Sequence, residues 1–401
     1  MINDRLANLV DYPFRRLAAL LADTAPPAGL SPINMAIGEP QHPYPALVAD
    51  TLAANAHLWG RYPPTVGTPE FRAAAAGWLT RRFALPQGMI EAERHVLPCN
   101  GTREALFTVA LLAVPQAVAG ARPVVLMPDP FYQVYAGAAV MAGAEPVFVA
   151  ATAETGFLPD FAALPADTLA RAALAYLCTP ANPQGTVAGR DYLAGLVALA
   201  RAADFVLAID ACYCDVYTGA APVGVFEACA TDAKGLDHVI AFHSLSKRSS
   251  VPGLRSGFVA GDPALMAEYA RLRSYTGGAS PLPVIATATA LWGDEAHVEA
   301  NRALYQRKFA LAAERLRGRC GFYVPPGGFY LWLDVGDGEA AAQRLWREHG
   351  VRAMPGAYLS RGGCGGETGQ APGAPYIRLA LVHDLATTEA ALDRLARALP
   401  G

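Results

Sequence analysis

An α/β protein is what this chain predicts: a mostly parallel sheet covered by helices, with a second, smaller α/β domain. Three observations predict it. Between about residue 100 and residue 262, short apolar runs alternate with segments whose apolar residues recur at helical spacing. Polar clusters punctuate the ends of those runs: NGTRE at 100–104, DPFY at 129–132, TPANPQG at 179–185, DACY at 210–213 and SLSK at 244–247. Hydrophobic residues make up 53% of the 401 positions against 17% charged, which suffices for a sizeable core. Short buried strands alternating with helices give a parallel sheet covered on both faces. Ligands gather at the carboxyl edge of such sheets, so five polar loops along one edge point to a site as well as to a fold.

The elements follow in chain order. Residues 13–22, PFRRLAALLA, have helical spacing and predict a short helix, whereas 25–45 is rich in Pro and Gly and predicts an irregular arm. PALVADTLAANAHL is the next helix. REALFTVALLAV reads as helix, RPVVLMPDP as a strand with a turn after it, YQVYAGAAVMAG as helix and EPVFVA as strand. AALAYLC is a strand entering the loop TPANPQG; RDYLAGLVALARAA is helix and DFVLAID strand. HVIAFHS and GFVAGD are two further strands. The last part of the chain changes character. It holds a long helical stretch near 286–318, then FYVPPGGFYLWLDV, a Gly-rich loop at 361–374 expected to be mobile, and a final strand and helix. The resulting division is a large domain, 46–285, and a small domain of 286–401 with the N-terminal arm 1–45.

Composition excludes several classes. The net charge of −3 and the lack of a Lys/Arg tract argue against a nucleic-acid surface. Seven scattered cysteines, an odd number, argue against a disulfide framework and fit a reducing cytoplasm. The pair Cys212 and Cys214 has one intervening residue and no second Cys/His pair nearby, a poor zinc set, so no metal is expected. The N-terminal segment carries Asp4, Arg5, Asp11, Arg15 and Arg16 and reads as neither signal peptide nor membrane span.

Lys247 raises the chemical question. It stands among small hydroxyls, between two strand-like runs and just before a Pro-Gly turn. It is either a surface residue or a working amine. A lysine condenses with an aldehyde if it is partly deprotonated, which burial and cationic neighbours promote. A phosphate on such an aldehyde wants an arginine fork, hydroxyls and the N–H groups of a helix N-terminus. Arg255, Ser244, Ser246, Gly101 and Thr102 are candidates. A pyridinium nitrogen wants a buried carboxylate, and Asp210 ends an apolar strand, where a charge is costly unless paired. Asn182 and Tyr213 end neighbouring strands and can donate to a ring hydroxyl; Tyr132 can stack on a ring. Each has an ordinary alternative. Arg255 and Arg378 could be surface ion-pair residues, Asp210 a helix cap, Asn182 a turn residue, and the tyrosines plain half-buried aromatics.

Together the residues overturn those alternatives, because their spacing resembles that of the fold-type I, pyridoxal-phosphate-dependent aminotransferases of the aspartate aminotransferase group. Asp210 follows Asn182 by 28 positions and Tyr213 follows by three more; Ser244 precedes Lys247 by three and Arg255 follows it by eight. The resemblance runs from IGEP at 37–40 to YIRLALVHD at 376–384; Ser256, usually aliphatic in the family, is a small departure. It implies a seven-stranded, mostly parallel sheet, pyridoxal 5′-phosphate as cofactor, and a homodimer with shared sites. It further implies that Lys247 binds the cofactor aldehyde and shuttles the proton, and that Asp210 partners the pyridine nitrogen. Asn182 and Tyr213 would be donors to the ring hydroxyl. Gly101, Thr102, Ser244, Ser246 and Arg255 would be the phosphate cradle. Tyr62 would reach the phosphate of the neighbouring subunit, while Arg378 and Gly38 would hold the substrate α-carboxylate. YPFRRLAALL, NGTREALF, DPFYQVY, TPANPQGTV and SLSKRSSVPGLRSGFVAGD look most like the N-succinyldiaminopimelate branch of the family. That narrower likeness implies amino transfer between glutamate and a succinylated keto acid in lysine and diaminopimelate biosynthesis. Arg103 and Arg273 are candidates to read the distal carboxylate.

Overall fold

In the computed structural model of the chain, residues 2–276, 278–361 and 371–400 are described. Their strands are β1 (Ile33–Asn34), β2 (Val96–Cys99), β3 (Val124–Asp129), β4 (Glu145–Ala150), β5 (Ala172–Cys178), β6 (Val206–Asp210), β7 (Val239–Ser244), β8 (Gly257–Gly261), β9 (Tyr330–Asp334), β10 (Val351–Arg352), β11 (Met354–Pro355) and β12 (Tyr376–Ala380).

Seven of these form one sheet in the order β2-β8-β7-β6-β5-β3-β4. The pairs from β7 through β4 are parallel, while β8 runs antiparallel to both its neighbours. Strands β3, β5, β6 and β7 are buried along their whole length, which explains why they read as continuous apolar runs instead of alternating ones. Successive residues still feed opposite layers. Leu207 and Ile209 join a core with Trp78, Phe205 and Trp292, whereas Val206 and Ala208 join one with Leu106, Tyr135 and Tyr176. Strand β2, which the sequence pattern did not mark, carries Pro98 inside a four-residue run. Its position at the sheet edge is where a missing backbone donor is tolerated.

The smaller layer is the antiparallel sheet β11-β12-β9, covered by the helices Gly338–His349 and Leu385–Ala398. Leu331, Leu333, Ile377, Leu379, Leu392 and Leu395 form its core. The Gly338–His349 helix starts under the Asp337 carboxylate, which accepts from Ala340 N at 3.0 Å, and stops at Gly350 with φ +61°.

Two expectations change. The helical stretch near 286–318 is two helices, Leu282–Gly293 and Ala296–Leu316. Ile285, Ala288, Leu291 and Trp292 of the first belong to the large core, so a division at 285/286 cuts a helix that packs with the large sheet; we place the change of unit at 294–295. The arm 25–45 is not irregular throughout. Strand β1 pairs with β10, Met35 N donates to Arg352 O at 2.9 Å, and Ala380 N donates to Met35 O at 2.7 Å. These bonds bring Gly38 to the mouth of the large sheet instead of leaving it free to move. Of the Gly-rich loop 361–374, residues 362–370 lie outside the described residues. No described helix is long and apolar enough to cross a membrane.

Candidate active site

The carboxyl ends of β5, β6 and β7 open into a cleft of about 750 Å³, which the arm, the helix Thr102–Ala113 and the small unit close from the sides. Lys247 lies on a single helical turn, Leu245–Arg248, directly after β7. The turn forms because the Ser244 Oγ accepts from Ser246 N at 3.1 Å, capping it. Lys247 Nζ donates to Gly38 O at 2.7 Å. Burial pushes its pKa down to about 8, with the Arg378 cation adding to the shift.

Asp210 closes β6 and is buried. Its Oδ2 accepts from the Tyr135 hydroxyl at 2.7 Å and its Oδ1 from Cys212 N at 3.3 Å. Burial raises its pKa, while those donors and the Lys247 cation pull it back. A buried carboxylate at the floor of a cleft is a partner for a cationic or N–H group. The Tyr213 hydroxyl lies 3.1 Å from that of Tyr330, and burial pushes the Tyr213 phenol well above its usual range, so it stays a hydroxyl.

Arg378, on β12, is 4% exposed. Its Nη1 donates to Asn182 Oδ1 at 3.0 Å, its Nη2 donates to Ala36 O at 2.8 Å, and its carbon lies 4.5 Å from the Tyr330 ring centre. Its Nε is buried with no bonded partner among the described residues. Such a fork, facing a cleft, is set to take a carboxylate.

At the other end, Gly101 has φ +79° and begins the helix Thr102–Ala113. A β-carbon there would collide with the Arg255 guanidinium. Arg255 itself sits at φ +53° and donates to two carbonyls, Pro252 O at 3.0 Å and Asn100 O at 3.3 Å. Thr102, Ser244, Ser246 and Arg255 all line the cleft. Hydroxyls, a guanidinium and a helix N-terminus with no side chain at Gly101 make a cradle for a phosphate. The donor set fits pyridoxal 5′-phosphate along its length. The cradle would hold the phosphate, Asp210 the ring nitrogen, Asn182 and Tyr213 the ring hydroxyl, and Lys247 the aldehyde.

Not every expected residue joins this group. Tyr132 lines the cleft and precedes the helix Gln133–Ala142, and its hydroxyl accepts from Arg103 Nε at 2.6 Å. Arg103 Nη2 also reaches the Tyr12 hydroxyl at 3.4 Å. Tyr62 is fully exposed and outside the cleft. Arg273 is a correction. It is 1% exposed, 2.9 Å from Glu104 and bonded to Gly278 O, so its charge is spent inside the protein and it does not line the cleft. Sequence reasoning passed over Tyr135, Tyr330 and Cys212, whose Sγ lies 2.9 Å from Thr102 Oγ1. Two of the three carried a signal: Cys212 lies within the DACY loop, and Tyr135 follows Tyr132 by three residues and so shares a helix face with that cleft residue.

Comparison with known proteins agrees with this geometry. Residues 31–395 match the family Aminotransferase class I and II. An LL-diaminopimelate aminotransferase of Syntrophobacter fumaroxidans is 32% identical, over 98% of this chain and 97% of its own length. A 4-dedimethylamino-4-oxo-anhydrotetracycline transaminase of Streptomyces rimosus is 34% identical over 96% of each. Among solved structures, an aminotransferase from Neisseria meningitidis superposes with a TM-score of 0.93 at 37% identity, covering 99% of both chains. The family match takes in the segments that carry Gly38, Asp210, Lys247 and Arg378, and so this chain belongs to the class I and II aminotransferases, which depend on pyridoxal 5′-phosphate.

Proposed function

We propose that this aminotransferase moves an amino group between glutamate and a diaminopimelate-type keto acid, with Lys247 as the working amine. The observation that carries the reading is the meeting of Lys247, Gly38 and Arg378 at the mouth of the cleft. Lys247 Nζ reaches Gly38 O, and Arg378 reaches Ala36 O, two residues earlier on the same arm. A carboxylate held by Arg378 would bring the substrate α-carbon beside the amine. The amine, with its pKa held down to about 8 by burial, is basic enough to take the α-proton yet is partly neutral near pH 7. When bound, the cofactor supplies an aldehyde that receives the amino group and a ring that spreads the charge left at the α-carbon. Asp210 would keep a proton on the ring nitrogen, and Asn182 and Tyr213 would hold the ring hydroxyl; Asn182 also orients Arg378. The proposed assembly is a homodimer in which Tyr62 of one subunit reaches the phosphate of the other.

The substrate has two readings. The succinylated skeleton expected from the sequence has a distal carboxylate beyond an amide, and Arg103, held by two phenols at the cleft wall, is placed to meet it. Free LL-diaminopimelate is the second, favoured by the name shared by several relatives at about a third identity. Both end in a carboxylate, but only the free form adds a distal ammonium, for which Glu39 on the same cleft is a partner. Stoichiometric half-reactions decide between them. Each candidate amino donor is mixed with holoenzyme and conversion of the bound aldehyde to the amine form is followed by absorbance. Glutamate and one of the two diaminopimelate forms should convert the whole enzyme. Conversion by neither form rejects the diaminopimelate reading, and failure with glutamate rejects the donor.

A further inference from the structure

Behind the cleft lies a second polar cluster that the proposed chemistry does not use. His42, Asn301 and Lys308 are 9%, 8% and 1% exposed. Asn301 and Lys308 lie two turns apart on the helix Ala296–Leu316 and face the same side. His42 lies four residues beyond Gly38 on the arm. Asn301 Nδ2 donates to two backbone carbonyls, those of Lys247 and Arg248, both at 3.0 Å. Carbonyls only accept, so the amide orientation is fixed and Asn301 Oδ1 must accept. It lies 2.6 Å from His42 Nδ1, which is therefore the protonated nitrogen. His42 Nε2 is then the acceptor for Lys308 Nζ at 2.5 Å, and the same Nζ donates to Leu381 O at 3.0 Å. Burial, with the Lys308 cation, holds the His42 pKa down to about 4, which keeps the ring neutral as this sequence of donors requires. Ser250 Oγ adds a bond to His42 O at 2.9 Å.

The bonds reach all three segments that meet at the mouth of the cleft. The carbonyl of Lys247 is held directly. His42 anchors the arm just after Gly38, whose carbonyl holds the Lys247 amine. Leu381 follows Arg378 by three residues in the segment that leaves β12. We propose that His42, Asn301 and Lys308 are positioning residues: one buried hydrogen-bond network that fixes the reach of Lys247 relative to Gly38 and Arg378. The proposal rests on Lys247 being the reacting amine, but not on which substrate it serves.

The test uses the holoenzyme. Asn301→Asp keeps the shape of the side chain but replaces two donors by an oxygen facing two carbonyl oxygens. The turn carrying Lys247 must then shift. The expected result is a fall in kcat of at least about tenfold with a smaller change in KM, because small misplacements of reacting groups are costly. The pH midpoint of the bound cofactor's absorbance should also move by about half a unit or more as the surroundings of the Lys247 nitrogen change. His42→Gln can still accept from Lys308 and donate to Asn301, and should keep at least about ten times the kcat of His42→Leu. This pair carries the test alone if Asn301→Asp does not fold. An unchanged midpoint and kcat in Asn301→Asp, or equal losses in His42→Gln and His42→Leu, overturn the network. The absorbance midpoint requires no turnover, so a wrong substrate leaves this readout intact. A wild-type holoenzyme in which borohydride fixes the cofactor elsewhere than Lys247 overturns the reading on which the network rests, and the network with it.

Discussion

At Lys247 the decisive quantity is the free energy of the ammonium. Removing the group from water disfavours the charged form and brings the pKa from 10.5 to about 8. The neutral, nucleophilic amine therefore predominates above about pH 8, where an exposed lysine would still be charged. In cofactor-free protein, the rate of pyridoxal-phosphate capture should rise with pH through a midpoint near 8, followed by the appearance of bound-cofactor absorbance. A midpoint near that of an exposed lysine would mean that the amine is solvated. Asp210 has the opposite problem, a carboxylate that burial pushes toward neutrality. Asp210→Asn keeps the shape and the Cys212 N–H contact but cannot hold a proton on a ring nitrogen. It should lower kcat by about a hundredfold or more while changing the cofactor dissociation constant much less, because the phosphate cradle is untouched. Equal losses in rate and affinity, by rapid-quench kinetics and equilibrium dialysis, would make Asp210 a structural residue.

Elements explain which part of this site could be read from the chain. Three of the five polar loops follow β5, β6 and β7, whose apolar runs are unbroken, so these strand ends and their residues, Asn182, Asp210, Tyr213 and Lys247, were legible together. Contacts made across elements were not. Tyr330 lies in the run YLWLD and reads only as a strand residue, yet β9 delivers its hydroxyl to Tyr213 and its ring to Arg378. The arm read as irregular because β1 is two residues long and gains its order from β10, more than 300 positions away. Arg273 read as a free cation because nothing in its neighbourhood in the chain announces Glu104. The turn at Gly101 is the element most sensitive to one atom. Gly101→Ala places a β-carbon against Arg255 at a positive φ with extended ψ that is essentially a glycine conformation, which costs about 1–3 kcal/mol before any steric term. The variant should bind pyridoxal phosphate about tenfold or more weakly by fluorescence titration, with pyridoxal lacking the phosphate bound as before. Equal weakening of both would move the cradle elsewhere.

On the scale of the whole molecule, Tyr62 is fully exposed, and the role proposed for it needs a second subunit beside it. The expected assembly is a two-fold dimer by light scattering. Tyr62→Phe, which loses one charge-assisted hydrogen bond, should weaken cofactor binding by about tenfold or more; a fully active monomer would reject the arrangement. The placement of the residues along the chain has a further consequence. Apart from Tyr62, every residue assigned to the cofactor lies between Gly101 and Arg255, and the large sheet is complete at Gly261. The residues assigned to the substrate carboxylate wait for strands made from residues 351–380, to which the arm must return. At about 5–20 residues per second of synthesis, those strands follow the large sheet by on the order of ten seconds. A nascent chain on the ribosome therefore holds nearly all the residues assigned to its vitamin before it holds the arginine assigned to its amino acid. The order of the chain leaves room for loading before closure.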